Sequence, residues 1–478
     1  MTALEPVIGL EIHVQLSTQT KMFCGCTLSF GDEPNSHICP VCLGHPGVLP
    51  NVNEQAIVYA LMIGEALGCE IAERSTFHRK NYFYPDLPKG YQISQYDHPI
   101  AVDGRLGDVR VHRAHLEEDA AKLSHKGASG RIHGSGASVV DFNRGGTPLV
   151  EIVSEPDIRS AAQAREWAQL LRATLASLGV SDCNMEEGSL RVDGNVSLRP
   201  AGSDELGTKT ELKNMNSFRF LERGIEAEIE RQRELIESGR EVEQETLHFH
   251  PDDGSLTSMR SKEYAHDYRY FPEPDLVPVV PTEEMREAAR AALPELPAAR
   301  KERYLTELDL PEATAASLAF QPELGGFFED ALAAESDATP RAIANWVTGD
   351  LVAALREQDL GEDPNRSKAE PGEIAALAAM VEGKQVSHSA GKQVLAKLAA
   401  EGGTAAGLVE SEGLAQISDD SEIDAMIDAA IESEPEAADQ VRSGNEKAIG
   451  RIVGAAMKNS QGRIDGGLAR EKILERLG

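Results

Sequence analysis

Two close pairs of cysteines, Cys24-Gly-Cys26 and Cys39-Pro-Val-Cys42, fall within residues 24–42. Thiolates are soft ligands, and four of them gathered by one short loop suit a tetrahedral Zn²⁺ site. The alternative is four free buried thiols, and the clustering favours metal. Four protein ligands leave no open coordination position, so the zinc expected here is structural. His37 and His45 flank the second pair as alternative ligands.

A second set of reactive residue types is spread over alternating segments. In VIGLEIHVQL (7–16), Ile8, Leu10, Ile12, Val14 and Leu16 alternate with polar residues, which puts Glu11 and His13 together on the opposite face of a strand. Within 109–117, Arg113, His115 and Glu117 share a face, and in SLRVDGNVSLR (189–199) Arg191, Asp193, Asn195 and Ser197 do. In TKTELKN (208–214) the shared face carries Lys209, Glu211 and Lys213. TPLVEIVSEPD (147–157) fits less cleanly, because Glu151 lies on the side of Leu149 and Val153. Most such faces are simply solvated. This mixture of Asp, Glu, His, Asn and Arg, with little Ser or Thr between, points instead to chemistry. Carboxylates with one imidazole suit Mg²⁺, and nearby Arg and Lys suit the oxygens of a transferring phosphoryl group.

These segments require strands, and the strands require a scaffold. Residues 1 to about 290 read as mixed strand and helix. The prolines between 272 and 297 read as a linker. Beyond it, Ala- and Leu-rich helical patterns run through 297–308, 339–356 and 371–400. A Gly-rich acidic stretch near 401–420 marks a second boundary. No GxxxxGK[ST] occurs, so a P-loop is not the nucleotide site, and no glutaminase nucleophile pattern is present.

The net charge of −32 implies a self-repelling, soluble surface of the kind that suits a halophilic cytoplasm. Concentrated salt screens such a surface, so its acidity does not exclude nucleic acid there. The start of the chain lacks a basic region followed by an apolar one, and no apolar run approaches membrane length, so a cytoplasmic protein without a membrane partner is expected. The end of the chain splits by charge. Residues 401–440 hold twelve acids and no Lys or Arg, whereas 442–478 hold eight basic residues against four acids. In 445–459 the apolar Ile449, Ile452, Val453, Ala456 and Met457 fall at helical spacing and leave Lys447, Arg451 and Lys458 to face outward. That face is either an ordinary solvated one or a phosphate-contact patch.

Several long motifs carry a family resemblance: IGLEIHVQL, KNYFYPDLPKGYQISQY (80–96), HLEEDAAK (115–122), DFNRGGTPLVEIVSEPD (141–157), RVDGNVSLR (191–199), ELKNMNSFRFLERGIEAEI (211–229) and SMRSKEYAHDYRYFPEPDL (258–276). In this order they closely resemble the B subunit of the heterotrimeric tRNA-dependent amidotransferase, densely over the first 290 residues and more loosely beyond. The resemblance implies an α+β chain: a glutamine-synthetase-like antiparallel-sheet cradle over 1–292 with a zinc-binding insertion at 24–42, an all-α domain over 293–408, and a small helical tail over 409–478 that contacts tRNA. It implies ATP and Mg²⁺ as well as Zn²⁺, and as partners an A subunit that hydrolyses glutamine, a C subunit and a misacylated tRNA bearing Asp or Glu. The metal-binding and catalytic set it implies is Glu11, His13, Glu117 or Glu118, Glu151 and Asp193, with strand parity favouring Glu117. It further implies that Lys80, Tyr82, Tyr84, Lys89, Tyr91, Arg191 and Lys213 meet the nucleotide or the acceptor end, and that Lys447, Arg451 and Lys458 contact the tRNA body. The stretch KGASGRIHGSGAS (126–138) is longer than the family leads one to expect and reads as a loop near the site. Two other classes compete: a zinc-dependent RNA-binding module without catalysis, and a free-standing ATP-dependent ligase acting on a small molecule.

Overall fold

The computed structural model describes residues 3–126, 136–261, 268–416, 420–443, 445–460 and 463–477, so most of the long loop at 126–138 lies outside the described residues. The chain divides into two compact units, Met1–Ala298 and Ala299–Gly478. The first is mixed α and β and the second is helical.

The strands of the first unit are β1 (Leu4–Gln15), β2 (Glu70–Ile71), β3 (Phe77–Asn81), β4 (Tyr91–Gln95), β5 (Ala101–Leu106), β6 (Val109–Glu118), β7 (Lys122–Lys126), β8 (Ala137–Asp141), β9 (Pro148–Ser154), β10 (Leu190–Pro200), β11 (Thr210–Lys213), β12 (Glu245–Phe249), β13 (Leu256–Ser261) and β14 (Phe271–Pro272). Nine of them form one sheet in the order β13-β12-β11-β10-β1-β9-β6-β5-β2, and β14-β3-β4 form a second. The helices are α1 (Glu54–Ala66), α2 (Ala161–Ser177), α3 (Phe218–Glu237) and α4 (Glu283–Ala291).

Period-two patterning builds the core directly. Ile8, Leu10, Ile12 and Val14 of β1 are buried with Ile63 of α1, Leu171 of α2 and Ile225 of α3, while Glu11 and His13 keep partial exposure on the other side. Each helix starts where its sequence caps it: Asn53, Ser160 and Ser217 accept from the backbone N–H of Ala56, Gln163 and Phe220.

Two expectations change. The large sheet is not wholly antiparallel, because β11 and β12 run parallel. α3 is the reason: it lies between them in sequence and supplies the crossover that a parallel pair requires. The proline-rich stretch 272–297 is also not a bare linker. Glu273 N–H donates to the Phe77 carbonyl, Val279 pairs with Ser75, and α4 buries Ala289 and holds Arg290 to Glu65 of α1 at 3.0 Å.

In the second unit, with the first helix beginning just before it, helices lie at Pro297–Thr306, Glu312–Phe320, Pro322–Ala333, Pro340–Asn345 (running through a π-helical stretch at Trp346–Leu351 into Val352–Glu357), Pro371–Glu382, His388–Glu401 and Ala405–Ser411 around one apolar cluster from Tyr304 to Val409. Helices Asp420–Ser433, Pro435–Arg442, Ile449–Asn459 and Gly466–Leu477 surround another, from Ile423 to Leu477. Among the described residues no helix is long and apolar enough to cross a membrane.

Candidate active site and metal centre

The register of the large sheet decides which polar side chains meet. On β1, His13 lies opposite Arg191 of β10 on one side and Glu151 of β9 on the other, and Glu151 lies opposite His115 of β6. One row across four strands therefore reads Arg191, His13, Glu151, His115. Two residues along β1, Glu11 lies opposite Asp193, and the next row is roughly 6–7 Å away along the strand. These rows floor a cavity of about 840 Å³, walled by Lys80, Tyr82, Gln92 and Ser94 of the β3–β4 hairpin and by Tyr268 and Tyr270.

Two ligand triads emerge. His13, Glu117 and Glu151 offer donor atoms within 4.8 Å of one another, and so do Glu11, Asp193 and Glu211. His13 Nε2 lies 3.5 Å from Glu151 Oε2 and 3.7 Å from Glu117 Oε1. His115 Nε2 lies 3.5 Å from the same Glu151 oxygen, and its buried Nδ1 has no hydrogen-bond partner. In the second triad Lys213 Nζ donates to Asp193 at 2.6 Å and lies 3.3 Å from Glu211. Asn195 donates to Glu11 at 3.3 Å, and the Thr246 hydroxyl to Glu211 at 2.9 Å.

Burial and like charge set the protonation. Burial opposes a charged His13, but the Glu151 hydrogen bond and the Glu151 and Glu117 charges outweigh it and push its pKa up to about 9. His115 is buried beside Arg113 with too little compensation from Glu151, and falls to about 4, so it is neutral at pH 7. Burial and the Glu151 charge lift Glu117 above the ordinary carboxylate range. Burial raises Glu151 too, but the two imidazoles win and hold it well below that range. Burial works against Lys80, yet Tyr270, Glu117 and Glu151 hold its ammonium above the lysine range; burial likewise opposes Lys213, and Asp193 and Glu211 prevail. Crowded carboxylates beside an imidazole make a donor set for hard divalent cations.

Adjacent residues of β6 face opposite ways. Glu117 faces this cavity and accepts from Ser94 Oγ at 3.3 Å. Glu118 faces a smaller cavity of about 210 Å³, where it pairs with Lys89 and accepts from Ile93 N–H at 3.0 Å. Lys89 and Tyr91 line that smaller cavity as well, so they are not brought to the acidic floor, and Tyr91 lies under Arg79 at 4.3 Å. Tyr84 is exposed and stacks on Tyr82 at 5.7 Å. Lys80, Tyr82, Arg191 and Lys213 do line the large cavity. Its other groups include Glu211, Asp119, Tyr268 and Tyr270. Glu211 carried a signal in sharing a face with Lys213; the two tyrosines sit in a segment without periodicity.

The cysteines converge: the sulfurs of Cys24, Cys26, Cys39 and Cys42 lie within 4.8 Å of one another. Hydrogen bonds from Cys24 and from the Cys39 backbone hold the Cys42 thiol down at about 4, while burial and Cys39 push Cys26 up to about 11. Four sulfurs sharing too few protons are the donor set that Zn²⁺ completes. His37 turns instead to Asp32 at 2.8 Å, and His45 lines the smaller cavity. In the tail, Lys447, Arg451 and Lys458 are exposed, with Arg451 held to Glu434 at 2.9 Å. Lys472 and Arg476 are spent on Asp424 and Asp428.

Residues 6–287 match the family described as the GatB/GatE catalytic domain, and residues 326–477 match the GatB domain. The chain belongs to this GatB family of amidotransferase subunits. Among its relatives is the B subunit of the aspartyl/glutamyl-tRNA(Asn/Gln) amidotransferase of Persephonella marina, 47% identical over 99% of both chains. Proteins of the same name from Geotalea uraniireducens and Anaeromyxobacter sp. strain K are each 48% identical, over 98% of both chains and over 99% of this chain and 98% of the relative, respectively.

Proposed function

We propose that this chain is the activating subunit of a glutamine-dependent amidotransferase that converts Asp or Glu on a misacylated tRNA to Asn or Gln. The observation that carries the reading is the convergence of two three-ligand clusters on the floor of one cavity, ringed by Lys80, Arg113, Arg191 and Lys213. The family membership and the relatives' shared name support the substrate.

A carboxylate is a poor electrophile. Its oxygen attacks the γ-phosphorus of ATP, ADP leaves, and an acyl phosphate forms. Ammonia then attacks the acyl carbon, phosphate leaves, and the nitrogen gives up a proton. Positioning and charge neutralisation dominate such a transfer. Glu11, Asp193 and Glu211, with His13, Glu117 and Glu151, would hold divalent cations such as Mg²⁺, which neutralise phosphate oxygens. Lys80 and Lys213 contribute fixed positive charge, and Arg113 and Arg191 flank them. Neutral His115 backs Glu151 without adding charge. The cysteine cluster holds structural Zn²⁺. Ammonia comes from a separate glutaminase subunit, with a third subunit completing the assembly; the sheet is the cradle, and the tail, over 409–478, approaches the tRNA body through Lys447, Arg451 and Lys458. Cradle, helical and tail domains occupy 1–292, 293–408 and 409–478.

The test is reconstitution with the two partner subunits. Glu11→Gln or His13→Ala abolishes ATP-dependent phosphorylation of the aminoacyl-tRNA while tRNA binding persists. Amidation at wild-type rate by both variants would end this reading.

A further inference from the structure

Asp119 follows β6 directly and lines the large cavity, yet it belongs to neither ligand triad. It is 3% exposed, and both of its carboxylate oxygens are engaged. Oδ1 accepts the N–H of Ala120 at 2.9 Å. Oδ2 accepts Nε2 of Gln15 at 2.8 Å and lies 3.1 Å from Nη2 of Arg191. The main chain is pinned as well. Asp119 N–H donates to the Thr147 carbonyl, and the Asp119 carbonyl accepts from Gly146 N–H, both at 2.8 Å.

That single oxygen spans the floor. The sheet order β10-β1-β9-β6 puts Gln15 two strands from β6 and Arg191 three strands from it. Backbone ladders do not set a side chain across such a distance; here a carboxylate does. Arg144 comes only to 3.7 Å of the same oxygen, and its own N–H groups go to the carbonyls of Ala120 and Ala121 at 2.9 Å. Arg191, unlike Arg144, lines the cavity. It lies opposite His13, its side chain keeps 38% exposure, and its buried Nε has no hydrogen-bond partner among the described residues. A guanidinium tethered at one nitrogen, with donors left over in a rigid fork, suits phosphate oxygens.

We propose that Asp119 is a positioning residue for the activation step: it tethers Arg191 beside His13 so that the remaining N–H groups of the guanidinium meet the phosphoryl group in transfer. The proposal rests on the reading of the site given above, and adds the residue that aims one of its cations. Untethered, so long a side chain would spread over several rotamers, and phosphoryl transfer is sensitive to misplacement of that kind.

The experiment uses the reconstituted complex with its partner subunits and the variants Asp119→Asn, Arg191→Met, the double variant, and Arg191→Lys. ATP-dependent phosphorylation of the misacylated tRNA is followed for kcat and for KM of ATP, alongside thermal melting. Asp119→Asn lowers kcat about 10- to 100-fold with a smaller effect on KM. The double variant is no slower than Arg191→Met alone, because a tether has nothing left to hold. Arg191→Lys keeps the charge but not the fork, and loses kcat like Asp119→Asn. Additive losses in the double variant overturn the proposal, since a merely structural aspartate would act without Arg191. Asp119→Asn or Arg191→Lys at wild-type kcat overturns it too. Should Asp119→Asn melt below the assay temperature, Arg191→Lys alone decides. Failure of the unmodified complex to phosphorylate would strike the proposed function itself, not the tether.

Discussion

Glu228 offers a sharp test of how the acidic floor is held. It lies on α3, is fully buried, and accepts four hydrogen bonds: from Thr210 Oγ1 at 2.7 Å, from Gln232 at 2.7 Å, and from Arg231 at 2.7 and 2.9 Å. Thr210 opens β11, the strand that carries Glu211 and Lys213, so this carboxylate ties α3 to the edge of the site. In Glu228→Ala the two neutral donors keep the Val196 carbonyl, to which both already point. Their loss is therefore near the low end of about 1–3 kcal/mol each. Arg231, 30% exposed, turns to Glu245 at 3.5 Å and to water, so its share is small. With the cavity left by the side chain, the total comes to about 3–5 kcal/mol. Glu228→Gln keeps the shape and one acceptor but loses the charge and turns an NH2 toward groups that all donate, for about 2 kcal/mol. Thermal unfolding combined with hydrogen exchange on α3 and β11 measures both. Equal losses for the two variants, or protection unchanged in β11, would refute the view that this carboxylate acts through charge and geometry together.

Zinc uptake must expel thiol protons, since burial holds Cys26 near 11 while Cys42 sits near 4; apparent zinc affinity in chelator competition therefore rises from pH 6 to 8, and a flat profile contradicts the tetrad. Chelation is expected to raise proteolytic sensitivity within 20–50, and purified protein free of zinc would dispose of that expectation. In chelated protein, His13 has a folded pKa near 9 against an ordinary 6.5, so its pairing with Glu151 stabilises fully below about pH 6.5 and fades as pH rises through about 9. His13→Gln removes that part of the alkaline loss in thermal melts, and identical wild-type and variant profiles would show the pairing absent. Lys447→Ala with Lys458→Ala weakens tRNA binding and flattens its salt dependence, whereas Arg451→Ala, already paired with Glu434, does less; equal effects would argue against phosphate contact.

Much of the floor was legible in the sequence because β1 and β10 each bury one face and show the other, so alternation located Glu11, His13 and Asp193 relative to the core; Glu117 was legible only through sharing a side of its strand with Arg113 and His115, since β6 is buried on both faces from Ala114 to Glu118. Glu151 blurred that pattern for a physical reason: β9 lies between β1 and β6 and six of its seven residues are buried, so alternation has no solvent side to report. The parallel β11–β12 pair was hidden because strand direction depends on where α3 returns the chain, which periodicity does not encode. Lys89 and Tyr91 illustrate another limit. They share a motif with Lys80 and Tyr82, but Tyr91 and Ile93 alternate along β4 with Gln92 and Ser94, so Tyr91 faces the smaller cavity while Gln92, opposite Lys80, faces the larger one. Tyr268 and Tyr270 reach the site only through the pairing of β14 with β3, a contact between segments nearly two hundred residues apart.

Glu117 and Glu118 share a peptide plane yet belong to separate chambers. Gaining or losing one residue inside β6 would exchange them, delivering the Lys89-bound carboxylate to the acidic floor and withdrawing the other. The register of β6 against β9 already shifts between Val111 and Arg113, so the frame that matters for the two carboxylates is the stretch from Arg113 to Glu118. The β7–β8 hairpin, whose strands already meet at Lys126 and Ala137, is the nearest place where sequence can grow or shrink without shifting that frame.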